Sequence, residues 1–186
     1  MKFNRTFVLY QAPNLMPQLM KLMTTSLLAL LLLLNTSCTT EDAIETIETA
    51  DLSIDINLAN ETDWPMADEV LQLINEHRNT LGLSGLTADH GYASAYAVDH
   101  TKYMIDLERI SHDGFADRAR ALKNNGAISV GENVAAGFDT AQSVVNAWLN
   151  SPSHRENIEG NFTHTGFGVM QTDTGRYYFT QLFYKK

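Results

Sequence analysis

The order of the periodic segments predicts an α+β fold, with helices first and a sheet at the C-terminal end. Three stretches with helical spacing of apolar residues precede residue 126, and a fourth follows Thr140. Two runs, 166–171 and the aromatic-rich 176–183, flank the turn sequence Thr-Asp-Thr-Gly and predict a β-hairpin. Helices followed by a hairpin favour a sheet that is covered by helices.

The first helix is predicted from about Met66 to Leu81. Asp63 and Pro65 suit a helix start, and Gly82 suits its end. Apolar side chains fall on one stripe of this segment, with polar residues around it. One face of the helix is therefore expected to be buried.

The second helix is predicted to begin near Thr87 or Asp89, either of which can cap it. Its apolar stripe continues to Leu107 and includes His100, which we interpret as a packed histidine rather than a ligand. A third, shorter helix is predicted over residues 115–124, closed by Asn-Asn-Gly.

The fourth helix is predicted to be capped by Thr140 and stopped by Ser151 and Pro152, because a residue before proline avoids the helical region. Before it, residues 128–130 are expected to form a short extended segment. The inward face of the fourth helix is expected to carry Ala141, Val144, Val145 and Trp148.

Length and charge limit the classes of function. The chain has 186 residues, 44% of them hydrophobic, which is enough for one compact domain. A formal net charge of −9 argues against a nucleic-acid partner, because phosphate binding needs clustered Lys and Arg. Residues 39–63 contain 8 of the 22 acidic residues and no Lys or Arg, so we interpret residues 38–63 as a solvated linker and residues 64–186 as the domain.

The N-terminal segment resembles a lipoprotein signal. The single cysteine, Cys38, follows a leucine-rich run that is shorter than the roughly 20 residues of a membrane span. We predict a signal segment over residues 1–37, with translation starting at Met20, and acylation of Cys38 that anchors the chain to a membrane. Asn35 departs from the usual pattern, and a plain secretory signal or an uncleaved anchor is the alternative.

Three polar residues stand next to glycine, serine or proline and suggest one site: His112, Glu132 and His154. We expect all three in connections between elements. An imidazole offers a lone pair at neutral pH, and a carboxylate can orient it or share a metal with it. The spacing is not that of HExxH, and no cysteine is available for a zinc site. From residue types alone, ordinary loop histidines are an equal alternative.

Five short segments of the chain form an ordered set that is specific when the segments are taken together. They are Ile-Asn-Glu-His-Arg at 74–78, Ile-Ser-His at 110–112, Gly-Glu-Asn-Val-Ala at 131–135, the stretch from Trp148 to Ile158, and Thr-Gly-Phe-Gly-Val at 165–169. The chain thereby resembles the CAP superfamily of cysteine-rich secretory proteins, antigen 5 and plant pathogenesis-related proteins. It is most similar to bacterial members with a stand-alone SCP-like domain, over about residues 66–184.

This resemblance implies an α-β-α sandwich, an antiparallel sheet between helical layers, and a cleft with two histidines and two glutamates. His112, Glu132 and His154 match three of these four positions, and Ser151 stands at the second glutamate. The family's disulfides are absent, since Cys38 is alone.

The missing acid favours binding over catalysis, because it removes a candidate general base. We expect an extracytoplasmic, membrane-anchored protein that binds a divalent, zinc-like metal through His112 and His154, with or without Glu132, or a small ligand or peptide. One alternative is a metal-assisted hydrolase of peptides or cell-envelope polymers with Glu132 as base. Another is lipid or sterol binding, which some eukaryotic relatives show. Ser151 lacks the oxyanion motif that a serine hydrolase needs.

Overall fold

A computed structural model describes residues 53–186. The predicted signal segment, Cys38 and most of the acidic linker lie outside the described residues. The described residues belong to one compact unit. Within the described range, no helix combines the length and the apolar character needed to cross a membrane.

The elements follow one another as the sequence predicts, with helices before the C-terminal hairpin. A 3-10 helix comes first, at Ile56–Glu61. The α-helices are α1 (Trp64–Thr80), α2 (Tyr92–Asp106), α3 (Phe115–Asn124), α4 (Ala141–Asn150) and α5 (Pro152–Ile158), and the strands are β1 (Thr87–Ala88), β2 (Ser129–Ala136), β3 (His164–Gln171) and β4 (Tyr177–Lys185).

The four strands form one sheet in the order β1-β3-β4-β2. The pairs β3–β4 and β2–β4 are antiparallel, as predicted, but the two-residue β1 runs parallel to β3. Thr87 is therefore not a helix cap: it pairs with His164, and its N–H donates to the Thr163 carbonyl at 3.0 Å. The helix after it begins only at Tyr92, with both Asp89 carboxylate oxygens accepting N–H groups near its start.

Alternating residues of β4 pack on opposite helical layers. Phe179 and Phe183 belong to an apolar cluster with residues of α1 and α4. Leu182 and Tyr184 belong to a second cluster with residues of α2 and α3. Since neighbouring side chains of a strand point to opposite faces, the sheet lies between two helical layers, which confirms the predicted α-β-α sandwich.

The predicted ends of α1, α3 and α4 agree with the structure to within two residues. The Asp63 side chain accepts the N–H of Met66 at 3.2 Å at the start of α1. The Thr140 hydroxyl accepts the N–H of Ser143 at 3.2 Å, and the Ser143 hydroxyl donates to the Thr140 carbonyl at 2.8 Å. The inward face of α4 is buried as predicted, with Trp148 only 2% exposed.

The folded domain begins earlier than the predicted boundary at Trp64. Ala59 of the 3-10 helix is 1% exposed, and the Thr62 hydroxyl donates to the Phe167 carbonyl at 2.8 Å. The N–H of Asp63 donates to the Val169 carbonyl at 2.8 Å. These two hydrogen bonds hold the last part of the predicted linker against β3.

Helix α2 lies directly on β3 because β3 has glycine where the two elements meet. A Cβ added at Gly168 would come within 2.3 Å of the Ala97 backbone. The Thr101 hydroxyl also donates to the Gly168 carbonyl at 2.9 Å. This close contact fixes α2, and hence the loop after it, relative to the sheet.

Two polar residues of α1 hold neighbouring loops. Asn75 exchanges two hydrogen bonds with the backbone of Leu86. Arg78 is 2% exposed and donates to carbonyls of Ser84, Ile158 and Gly160. Their roles are structural.

Candidate functional site

Glu132 lies inside β2 and not in a connection, which corrects the prediction. The strand continues through Gly131 because each residue from Ser129 to Ala136 has a partner on β4, with Glu132 opposite Leu182. The side chain of Glu132 is on the face of the sheet that α3 covers, and it is only 1% exposed. A carboxylate buried to this degree requires partners.

Both oxygens of the Glu132 carboxylate are bound. Oε1 lies 2.8 Å from Nδ1 of His112, and Oε2 accepts Nε of Arg118 at 2.8 Å and lies 2.7 Å from its Nη2. The Arg118 side chain is 9% exposed, whereas that of His112 is 55% exposed. The guanidinium thus neutralises the buried charge, and the carboxylate orients an imidazole whose Nε2 is the nitrogen left for other contacts.

Arg118 belongs to the site but is absent from the sequence prediction. It stands three residues after Phe115 and four before Leu122, so it shares the apolar stripe of α3. A basic residue on a stripe that packs on the core needs a buried acid. The position of Arg118 on the stripe could therefore have indicated a buried acidic partner from the sequence alone.

Two side chains of α2 form hydrogen bonds with the loop that carries His112. Nε2 of His100 donates to the Ser111 carbonyl, with 2.6 Å between the two atoms, and the Tyr103 hydroxyl donates to Oδ2 of Asp113 at 3.0 Å. Burial lowers the pKa of His100 below its ordinary value of 6.5, and the positive charge of Arg118 lowers it further. A neutral, buried His100 confirms the prediction of a packed histidine, here with a supporting role beneath the site.

His154 lies in the short helix α5, although a connection between elements was predicted. Pro152 occupies the first turn of this helix, where its missing N–H costs nothing. Two asparagines connect α5 to β2: Asn133 donates to the His154 carbonyl at 3.1 Å, and Asn157 donates to the Glu132 carbonyl at 3.0 Å. The backbone of the second histidine is thereby fixed beside the strand that carries the acid.

His154 and Ser151 line a cavity of about 470 Å³. The half-buried imidazole of His154 has no hydrogen-bond partner among residues 53–186. Its pKa is lowered from the ordinary 6.5, first by burial and then by the positive charge of His112. The two histidines are therefore electrostatic neighbours, and His154 presents a neutral ring to the cavity near pH 7. Much of the cavity wall is apolar, with Ile110, Val134, Ala135, Phe138, Ala147 and Trp148.

The donor set does not fit a resident metal ion. Both oxygens of Glu132 are engaged, and a cationic guanidinium lies against one of them. Across residues 53–186, no group of three or more His, Cys, Asp and Glu side chains is placed to hold a metal. Of the predicted ligands, His112 and Glu132 are thus bound to each other, and Glu132 is also paired with Arg118. The third predicted ligand, His154, lies on the cavity wall and is not bonded to this group.

Ser151 is a polar residue in the wall of this cavity. Its hydroxyl lies 3.4 Å from that of Ser153, and in the described part of the chain no hydrogen bond joins it to His154. A serine nucleophile needs a base within hydrogen-bonding reach. The geometry gives Ser151 no such base.

The α-β-α sandwich with a His–Glu pair beside a cavity is the architecture that the resemblance to the CAP superfamily implies. Comparison with known proteins leads to the same class. The model of the CAP family, the cysteine-rich secretory protein family, matches residues 71–183. The chain belongs to this family, as the resemblance in its sequence predicted.

Among its relatives is the uncharacterized protein YkwD of Bacillus subtilis (strain 168), 33% identical over 109 residues. The match covers 56% of this chain and 42% of YkwD, so the shared region is less than half of that relative.

Two solved structures are also similar. An outer surface protein from Borrelia burgdorferi has a TM-score of 0.59 at 26% identity, covering 66% of this chain and 93% of that one. An extracellular protein containing a SCP domain from Bacillus anthracis str. Ames has a TM-score of 0.53 at 32% identity, covering 64% and 40% of the two chains.

Proposed function

We propose that this chain is an extracytoplasmic binding protein, anchored to a membrane through acylated Cys38, whose CAP cleft takes a small organic ligand or a peptide. The observation that carries the proposal is the unpartnered, neutral imidazole of His154 on the wall of a largely apolar cavity. Binding cavities combine apolar walls with a few polar groups that orient the ligand. Here the orienting groups are His154, Ser151 and the neighbouring His112.

The arrangement around Glu132 supports binding rather than hydrolysis. A general base must keep an oxygen free for the proton that it removes. Glu132 instead has one oxygen on His112 and the other on Arg118. Its role in the proposal is to hold the exposed imidazole of His112 at the edge of the cleft. Lipid and sterol ligands remain outcomes of the binding test.

Extracytoplasmic location rests on two observations. The N-terminal segment carries the features of a lipoprotein signal. Two of the similar structures are an outer surface protein and an extracellular protein by their own descriptions. Metabolic labelling with a radioactive fatty acid tests the anchor: the wild type should be labelled, and Cys38→Ala should not. Equal labelling of both proteins would contradict acylation at this residue.

The cleft itself is tested by NMR on the full-length chain in a mild detergent. Ligand fragments from a small library of peptides, acyl acids, sterols and sugars should shift the ring resonances of His154 in a saturable manner. His154→Ala should lose the binding, whereas His77→Ala, which removes an imidazole paired with Glu159 outside the cavity, should keep it. No shift from any fragment would refute the binding function.

Metal binding keeps a test of its own, because the sequence predicts a zinc-like ion. Calorimetric titration of zinc into the wild type is compared with the double variant His112→Ala/His154→Ala. The geometry predicts equal heats for both. A saturable heat that only the wild type shows would establish the metal site instead.

A further inference from the structure

Two neighbouring cavities of the domain share wall residues. The first is the cavity with His154, of about 470 Å³, and we call it the cleft pocket. The second, of about 660 Å³, lies between the end of α2 and the β3–β4 turn, and we call it the hairpin groove. Glu108 and Arg176 line both. The two cavities therefore meet at these residues.

The two cavities differ in chemistry. The cleft pocket has the apolar wall described above. The walls of the hairpin groove are mixed: Ile105, Met170 and Tyr178 stand beside more numerous polar and charged residues, among them Lys102, Asp106, Gln171, Thr172 and Asp173. A ligand that fits both is apolar at one end and of mixed polarity along the rest. An extended peptide with one apolar side chain has this pattern, and an acyl chain does not.

Arg176 offers a fixed positive charge at the junction. Its guanidinium lies over the ring of Tyr178, with 5.4 Å between the guanidinium carbon and the ring centroid, which limits its freedom. No ion pair of residues 53–186 includes Arg176, whereas Arg109, the other cation of the cleft pocket, is paired with Asp113 at 3.3 Å. Arg176 is thus the cation available to an anionic group of a ligand.

Glu108 occupies a backbone position that normally takes glycine. The end of α2 has the hydrogen bonds of a Schellman motif, from Glu108 N–H to the Ile105 carbonyl and from Arg109 N–H to the Met104 carbonyl. Its left-handed residue is Glu108, with φ +53°, and no other non-glycine residue of the described range has a positive φ.

Helices α1 and α3 end in the same motif, and there the chain uses glycine. Gly82 has φ +71° and Gly126 has φ +95° at the corresponding positions. A glutamate in this conformation is strained, so its presence indicates that the side chain has a use. Glu108 lies where the two cavities meet, which points to contact with a ligand.

We propose that the natural ligand of the cleft is an extended peptide with an apolar residue followed by an acidic and a basic residue. The apolar side chain fills the cleft pocket, the acid pairs with Arg176 and the base pairs with Glu108, while the remaining residues lie along the hairpin groove. The proposal rests on the binding function proposed above and names the class of ligand for the same cleft.

The test uses blocked pentapeptides in which Phe, Leu, Ile or Val is followed by Glu and Lys, each with a Gln analogue in place of Glu. Binding to the full-length chain in detergent is measured by calorimetry. At least one Glu peptide should bind, and its Gln analogue should bind about fivefold more weakly, the effect of one partly exposed ion pair. Arg176→Gln should weaken the Glu peptide and leave the Gln analogue unchanged.

Two variants complete the design. Arg176→Glu should reverse the preference, so that a peptide with Lys in place of Glu binds better than the Glu peptide. Arg120→Gln, which removes an exposed cation of α3, should change neither affinity. No binding by any of the peptides, or an Arg176→Gln variant that weakens Glu and Gln peptides alike, overturns the inference. If acyl acids shift the His154 resonances while every peptide fails, the cleft function stands and the peptide inference falls.

Discussion

Nη2 of Arg118 lies 2.7 Å from Oε2 of Glu132 in the interior of the domain, and the same carboxylate holds Nδ1 of His112 at 2.8 Å through its other oxygen. One buried acid therefore joins a buried cation to an exposed imidazole. The domain depends on Arg118 for charge balance, and the cleft depends on Glu132 for the orientation of His112. The stability of the domain and the proposed ligand binding therefore both depend on this carboxylate.

Loss of Arg118 should be costly. Arg118→Met leaves the Glu132 carboxylate buried without its cation, and removal of one partner of a buried ion pair costs about 3–5 kcal/mol. Urea unfolding measures the loss. The matched control is Arg120→Met on the same helix, because Arg120 pairs with Asp117 at 3.0 Å while both side chains are more than half exposed. That variant should lose less than about 1 kcal/mol. Similar losses for the two variants would contradict the role of Arg118.

The helices were predictable because their signals are local. Helix α3 was predicted with its observed ends, since Gly114 precedes it and Asn-Asn-Gly closes it within the same stretch of chain. The cap at Thr140 is likewise made by residues three positions apart. Where a start signal and a periodic stripe lie within one segment, propensity and packing agree.

The site was harder to predict because its partners are distant in the sequence. Glu132 follows Gly131 and precedes Asn133, a polar run that indicates a loop, yet the run pairs with β4 and forms a strand. Its polar side chains are tolerated inside because Arg118 and Asn157 satisfy them from other elements. Helix α5 was missed for a different reason: seven residues are too few to show a helical period.

The charge of His112 should be visible in the titration of His154. His112→Ala removes a positive charge that lowers the pKa of His154, so that pKa should rise toward its ordinary 6.5. It should not rise fully, because burial is the larger cause and remains. NMR titration of the ring protons measures the change. His77→Ala is the control and should leave His154 unchanged; an unaltered pKa in His112→Ala would mean that the two rings do not interact.

His100 should make the domain less stable in mild acid. Its pKa is lowered in the folded state, so the unfolded chain binds this proton first as pH falls. Its contribution to stability is therefore complete above the ordinary pKa of 6.5 and is lost as pH falls below it toward the lower folded-state pKa. Urea unfolding at several pH values measures the slope, which should become shallower in His100→Gln, whose amide can donate to the Ser111 carbonyl without titrating.

His100→Leu separates the hydrogen bond from the titration. It removes the donor and leaves the Ser111 carbonyl unpaired, at a cost of about 1–3 kcal/mol near pH 7. His100→Gln should lose less at the same pH. If the Leu and Gln variants were equally stable, the bond to Ser111 would not be what fixes the loop that carries His112.

Glu108→Gly should stabilise the protein while it weakens ligand binding. Glycine relieves the left-handed backbone at φ +53°, a gain of about 1 kcal/mol that urea unfolding can detect. Glu108→Gln is the matched control, because it keeps the strain and removes only the charge, so its stability should equal that of the wild type. Both variants should bind a peptide with Lys beside Glu more weakly than the wild type does. A Gly variant that gains stability and keeps full affinity would show that the strained glutamate serves neither the cleft pocket nor the hairpin groove.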